Sequence, residues 1–543
     1  MQKFDFIIIG SGSAGSVVAN KLSASGRHSV LLLEAGGTDR RFYVQMPLGY
    51  GKTFYDPMVN WNYRSDPDPG LAGNQDHWPR GKLLGGSSSI NAMVWMRGAR
   101  EDYDSWAEAG NPGWAYEDLL TSFKAIEDNQ AGADYWRGIG GPVHVTDNTR
   151  FIHPLTRRFL QAGQELGLPF NPDFNGQSQE GVGIYQLTTR KGRRMSAARA
   201  FLWPAMKRRN LRIELHAHAT RLLFEGKRVV GVEYIQNKSA RQAFAAREVV
   251  LCCGSVNTPQ LLQLSGIGPA ALLQSLSLPV VLDNAHVGAN LQDHLGINYT
   301  WRAKTRTLNQ ILRPWWGKAL VGSQYLLFQR GPLSMSMNQG GGFFRTDPTQ
   351  PRANMQLYFQ AFSTVLPRPG ERPILSPDAW PGFSIGLSNC RPSSRGEIMI
   401  RSNDPFQQPR ITPNAFSTAN DVNEMLDAVK FLRRFAAATS FADVIAEEVL
   451  PGEKITSDEA LIEDFRHRSG TVYHPVSTCR MGPDPGSSVV DPRLRLHGLS
   501  GLRIADASVF PSNISGNTNA AAILTGWKGA DMILEDMQEA DRL

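Results

Sequence analysis

Cysteine is scarce in this chain: Cys252, Cys253, Cys390 and Cys479 are the four in 543 residues, with one adjacent pair and no CxxC spacing. That argues against a thiolate zinc site and a disulfide framework, and fits a reducing compartment. No run of 18 apolar residues occurs, so no membrane-spanning helix is expected. The N-terminus, MQKFDFIIIG, enters a strand pattern at once, without the leader of an exported protein. Internal repeats and low-complexity tracts are missing too, and the composition removes disordered and collagen-like classes. These absences predict a cytoplasmic protein, with peripheral contact to the inner membrane left open.

Long runs of one charge are also lacking. The net charge is +7, and the basic residues come in short groups such as Lys191-Gly192-Arg193-Arg194 and Lys207-Arg208-Arg209. A mildly basic, solvated surface accounts for these groups without nucleic acid, leaving a weak attraction to acidic membranes. With 41% hydrophobic and 20% charged residues the chain is ordinary globular material. Its length is enough for more than one core, and two structural domains are expected.

Phe4 to Ile9, FDFIII, is a near-continuous apolar run, as in a parallel strand buried on both faces. It runs into GSGSAG. Gly10, Gly12 and Gly15 give the tight turn, the close approach to a pyrophosphate and the close helix packing of a dinucleotide fingerprint, and Ser13 and Ala14 open the helix to about Leu22. A second strand, Ser29 to Leu33, ends in Glu34 and Ala35. Glu34 lies 34 − 15 = 19 residues past the last glycine, where a carboxylate meets a ribose 2′-hydroxyl. No second fingerprint follows, which counts against a separate nicotinamide domain.

Three further stretches bear on which dinucleotide is bound. RGKLLGGSSSINAM, Arg80 to Met93, is a glycine-serine turn rich in small donors. VVLCCGSVNTPQLLQLSGIG, Val249 to Gly268, reads as a strand ending at Gly254, then a helix starting near Thr258-Pro259. LRIADASVFPSNISGNTNAAAILTGWKGADMI, Leu502 to Ile533, is the third. Together with GANLQDH at Gly288 to His294 and YHPVSTCRMG at Tyr473 to Gly482, they resemble the glucose-methanol-choline (GMC) family of FAD-dependent oxidoreductases over essentially the whole chain. NPDFNG at Asn171, GVGIYQ at Gly181 and SAARAFL at Ser196 are similar to its bacterial alcohol and choline dehydrogenase-like branch. After GNTNA the chain departs from that pattern, reading AAILTGWKGAD.

The resemblance implies an α/β fold in which a Rossmann-like FAD-binding domain is interleaved with an α+β substrate domain built on an open antiparallel sheet. The expected layout is 1–148, 204–299 and 464–543 for FAD, and 149–203 and 300–463 for substrate. It also implies FAD contacts from Arg80, Leu83, Gly86, Ser87, Asn91, Ala92, Met93 and Val94, from Gly254, and from Asp506, Ala507, Asn519 and Ala520. Some members tether the flavin through a histidine in the glycine-serine turn. The matching residue here is Ile90, so non-covalent FAD is expected, and no metal.

Alcohol oxidation by hydride transfer needs an acceptor, a base for the hydroxyl proton and a clamp for the oxygen. A neutral imidazole suits the base, and the resemblance carries that role onto His474. His294 reads as architectural, and Cys479 as a packed thiol. Asn517, 517 − 474 = 43 residues on, is the implied clamp, because an amide donates to an alkoxide without competing for the proton. Asn519 is expected to cap the last helix and aim its N-terminus at the flavin. MQLYFQAF at Met355 and GEIMIRS at Gly396 read as strands of the sheet over the flavin. Ile311 to Leu333, with its Trp pair, reads first as a lid or core helix and second as a membrane-facing or entrance element.

The function expected is oxidation of a primary alcohol to the aldehyde, with electrons passed to a quinone or another carrier. An oxidase making hydrogen peroxide, a non-redox or light-driven FAD protein, and a nicotinamide dehydrogenase are the alternatives.

Overall fold

The computed structural model describes residues 2–364 and 376–540. Strand β1 (Gln2–Ile9), helix α1 (Ser13–Ser23) and strand β2 (Val30–Leu33) form the opening βαβ unit. Phe6 to Ile9 and the whole of β2 are buried, which is why both run apolar without alternation.

β1 is central in the first sheet. It pairs in parallel with β2 on one side and with Ser239–Leu251 on the other, setting Ile7 opposite Leu31 and Val249. Leu211–Glu214 extends the sheet beyond β2, and Leu502–Ile504 pairs in parallel with the end of Ser239–Leu251. Ala217–Glu225 and Arg228–Gln236 complete it as an antiparallel meander. The strand ends at Ile9, Leu33 and Leu251 therefore lie at one edge, where ligands of such folds bind.

The second sheet is antiparallel, in the order Ile445–Leu450, Leu295–Ala303, Gly382–Asn389, Met355–Gln360, Gly340–Phe344 and Gly181–Ile184. In Met355–Gln360 the alternation decides the faces. Met355, Leu357 and Phe359 join the core under helices Pro154–Glu165 and Ala419–Ala436, while Tyr358 and Gln360 face the cavity described below. The stretch around Glu397 departs from expectation: Glu397–Met399 forms a separate two-stranded sheet with Arg410–Thr412, and Gly396 is bridged to Leu291.

Helix α2 (Gly254–Leu264) starts four residues earlier than its Thr258-Pro259 pair suggests, with Pro259 inside it. Ile311 to Leu333 divides at Pro314, after which α3 (Trp315–Phe328) begins. α3 is no core helix, since it buries only Gly317, Val321 and Tyr325. The last helix, α4 (Asn519–Ala540), packs across α1 so closely that Gly526 lies against the Ala14 backbone. Its first intrahelical bond, Ala522 N–H to the Thr518 carbonyl at 3.0 Å, makes Thr518 the cap residue and Asn519 the first helical one. The expected Asn519 cap is thus displaced by one residue.

Candidate active site

A cavity of about 880 Å³ is lined by residues of both sheets. At one end stands the N-terminus of α1. Its cap residue, Gly12, has no side chain to bond the first amides, and the first turn holds no acid, so neither offsets the positive helix end. Gly10 sits at φ +95°, a conformation glycine adopts without strain. Gly86 closes on this turn, because a Cβ there would lie 2.7 Å from the Gly12 Cα. The Gly85 amide donates to the Ser11 carbonyl at 2.9 Å and ties the two glycine turns together.

Glu34 lines the cavity and is buried. It accepts from the Ser11 amide at 3.1 Å, the Ser11 hydroxyl at 2.5 Å and the Gly36 amide at 2.8 Å. Burial pushes its pKa up against those bonds. Asp506 accepts from the Gly254 amide at 2.9 Å and the Thr258 hydroxyl at 2.7 Å, which fastens the turn after Leu502–Ile504 to the start of α2. Ser13 Oγ donates to Asn519 Oδ1 at 2.7 Å, so the first turns of α1 and α4 meet at the cavity wall.

Of the residues expected to hold a cofactor, Gly10, Gly12, Ser13, Ala14, Glu34, Ala35, Arg80, Gly86, Ser87, Asn91, Ala92, Met93, Val94, Gly254, Asp506, Ala507 and Asn519 line this cavity. Gly15, Leu83 and Ala520 lie behind it. A Cβ on Gly15 would overlap the Gly10 carbonyl oxygen, Leu83 bridges Gly37, and Ala520 is packed in the core. The wall also contains Ala217, His218 and Ala219, which no sequence motif marked.

At the other end His474 and Asn517 face each other, with His474 Nε2 and Asn517 Nδ2 3.1 Å apart. His294 and its own partner, the Cys390 carbonyl, fix the state of that imidazole. His294 Nε2 lies 2.9 Å from the Cys390 carbonyl oxygen, which only accepts, so this nitrogen carries the proton. Burial pushes the His294 pKa down to about 4, leaving the ring neutral and its Nδ1 an acceptor. His474 Nδ1, 3.0 Å away, must then donate to it. The lone pair of His474 is left on Nε2, toward Asn517 and the cavity. Burial, with the Arg80 guanidinium nearby, holds the His474 pKa well below the usual histidine range.

The amide of Asn517 is oriented just as firmly. Its Oδ1 accepts from Gln356 Nε2 at 3.2 Å, and Gln356 Oε1 accepts from the Tyr358 hydroxyl at 2.6 Å. With the carbonyl held by Gln356, the N–H groups of Asn517 point to His474. The His474 amide donates to Asp293 Oδ1 at 2.8 Å, and Thr471 joins Asp293 to Asp76. Burial raises both carboxyls to about 7.

His294, read in the sequence as architectural, thus touches the candidate base directly. Gln356 and Tyr358 were missed altogether, although the alternation of MQLYFQ already puts both on one face. Arg194 corrects another reading. Within KGRR it looked like solvated surface, yet it is buried and holds the glycine-serine turn, donating to the Asn91 carbonyl at 2.6 Å and Asn91 Oδ1 at 2.8 Å. The Cys479 thiol is packed in the core, as expected.

Models of the GMC oxidoreductase family match residues 4–296 and 392–526. The chain belongs to the GMC oxidoreductase family. It is 41% identical to an alcohol dehydrogenase [acceptor] of Pseudomonas putida, over 99% of this chain and 97% of that one. It is 39% identical to an oxygen-dependent choline dehydrogenase of Rhizobium johnstonii, over 98% and 95%. Among solved structures, pyridoxine 4-oxidase from Mesorbium loti superposes with a TM-score of 0.87 at 30% identity, covering 98% of this chain and 99% of that one. In this GMC oxidoreductase the uncapped α1 terminus, the glycine cradle and the cavity volume fit FAD, the cofactor the family implies.

Proposed function

We propose that this protein is an FAD-dependent alcohol dehydrogenase that oxidises a primary alcohol to the aldehyde and passes the electrons to a quinone or another carrier. The observation that carries the reading is the Nε2 lone pair of His474, held toward the Asn517 amide inside a cavity whose far end is a glycine cradle. FAD, when bound, supplies the acceptor for the hydride. The chain supplies the rest. An alcohol oxygen seated on the cavity side of the His474–Asn517 contact gives its proton to Nε2 and receives an N–H from the amide as negative charge grows on it.

Ile90 lines the cavity where a tethering side chain would stand and has no nucleophile, which supports non-covalent FAD. Acid precipitation should leave a yellow supernatant, and flavin retained on the pellet would overturn that point. The dehydrogenase reading has the support of the Pseudomonas putida relative, whose name specifies an acceptor. The competing reading, oxygen as acceptor, draws on the pyridoxine oxidase likeness. A panel of alcohols tested for anaerobic bleaching of the flavin, followed by peroxide against dye reduction on the best substrate, tests both. No bleaching by any alcohol would sink the proposal.

A further inference from the structure

Sixteen large apolar side chains stand exposed among the described residues, and eight of them lie on α3 or on the Phe42-Tyr43 pair packed beside it: Phe42, Tyr43, Trp315, Trp316, Leu320, Leu326, Leu327 and Phe328. Six belong to α3. That helix buries one narrow stripe, Gly317, Val321 and Tyr325, at a spacing of four. The outward side is the anomaly. Trp315 is 80% exposed, Leu327 72% and Phe328 66%, and Lys318 is the one charge in the fourteen residues. A helix facing water carries its polar residues on that side. Phe42 continues the patch, its ring packed edge-on against Tyr325 at 6.2 Å and against Tyr43 at 5.4 Å.

Cations dominate the sequence on and around α3. No Asp or Glu occurs from His294 to Thr346, or from Gly181 to Ile213. Arg313, Lys318 and Arg330 flank or lie on α3. Arg193 reaches its C-terminal end, donating to Gln329 Oε1 at 3.1 Å, and its strand partner Arg190 stands beside it. Lys52 donates to the Tyr43 hydroxyl at 2.9 Å. Among the described residues none of these cations is ion-paired with a carboxylate. Exposed tryptophans and leucines rimmed by unpaired cations complement an anionic lipid surface, with rings and chains in the headgroup–acyl boundary and cations on phosphates. No helix among the described residues is long and apolar enough to cross a membrane, so this contact would lie in the interface.

We infer that α3, with Phe42 and Tyr43, seats the protein on the surface of an anionic lipid bilayer. The inference deepens the carrier reading above and takes its purpose from it. Val321 of the buried stripe belongs to the same apolar cluster as Phe54, Met337 and Tyr358, which line the cavity. A lipid-dissolved acceptor would therefore meet the protein at the apolar wall of its own site. Docking itself depends on the patch alone.

The test is sedimentation of the holoenzyme with vesicles of phosphatidylcholine, with and without phosphatidylglycerol. Binding should be about tenfold or more tighter with the anionic lipid and should weaken as salt is raised. The triple substitution Trp315→Ser, Leu327→Ser, Phe328→Ser should cut that binding at least about tenfold, while alcohol turnover with a soluble dye stays unchanged. Equal binding of both vesicle types, or a triple variant that binds like the parent, overturns the inference. So does a dimer that dissociates on the triple substitution, because the patch would then be covered by a second copy. Binding to vesicles without reduction of a quinone dissolved in them would sink the carrier reading and leave the docking standing.

Discussion

His294 and His474 meet Nδ1 to Nδ1 at 3.0 Å, their rings crossed at 85°. Two neutral imidazoles in that arrangement share one proton, and the Cys390 carbonyl decides which ring holds it there. Because His294 spends its own N–H on Cys390, the shared proton belongs to His474. The candidate base is therefore kept in one tautomer by a residue that does not line the cavity.

The first prediction concerns the base. His474→Gln keeps a side chain of similar reach but removes the basic nitrogen. Alcohol-driven bleaching of the flavin should slow by roughly 10²–10⁴-fold, the usual range for a lost general base. FAD content should stay near one per chain. An anaerobic stopped-flow trace indistinguishable from that of the parent protein would place the base elsewhere.

The second separates positioning from structure at His294. Asparagine keeps a carbonyl acceptor for His474 Nδ1, whereas leucine keeps none. His294→Leu should lower kcat, and His294→Asn should restore much of it. The pH profile carries the sharper readout. Burial above all depresses the His474 pKa, so the active neutral form persists well below pH 6.5 and the acid limb of flavin reduction lies below that value. Neutral His294 accepts from His474 Nδ1 and so favours the protonated ring, which means that His294→Leu should move the acid limb further down while His294→Asn keeps it near the parent position. An unmoved limb in His294→Leu would make His294 a packing residue only.

Much of the frame was legible in the sequence because its signals are local. FDFIII, GSGSAG and the strand before Glu34 carry their structure in adjacent residues, and the structure differs from that reading by only a residue or two at the strand and helix ends. The histidine pair was not legible. Its members lie 180 residues apart, and they are brought together by the antiparallel pairing of Leu295–Ala303 with Gly470–Thr471 and by the Gln292–Val476 bridge beyond them. Arg194 was misread for a related reason: its burial depends on Val44 and Asn91, far along the chain. The exposed face of α3 could not be distinguished from a core face, since apolar periodicity reports amphipathicity and not what covers it.

A third prediction tests the amide chain behind the oxygen clamp. Gln356→Met preserves length and removes the donor to Asn517 Oδ1, leaving that amide free to turn. The rate of flavin reduction should fall about tenfold, against about 10²-fold for Asn517→Leu, which removes the clamp outright. The double variant should cost little more than Asn517→Leu alone, since both act on one contact. Additive losses would show that Gln356 acts on something else.

The last prediction contrasts two glycines of the same turn. At Gly12 the backbone is extended and an added Cβ meets nothing closer than the Cys252 carbonyl oxygen at 3.9 Å, so the apoprotein has room for alanine. That Cβ would occupy the cradle instead. At Gly15 the added Cβ overlaps the Gly10 carbonyl and comes within 3.0 Å of Cys252 Cβ, forcing α1 away from β1. Gly12→Ala should therefore fold with the thermal midpoint of the parent apoprotein but bind FAD far more weakly. Gly15→Ala should lose about 1–3 kcal/mol of stability in the apoprotein itself, the usual cost of overpacking. Thermal melts of deflavinated protein and fluorescence titration with FAD measure the two effects separately. A Gly12→Ala protein that binds FAD normally would mean that the cradle at the α1 N-terminus does not hold the cofactor.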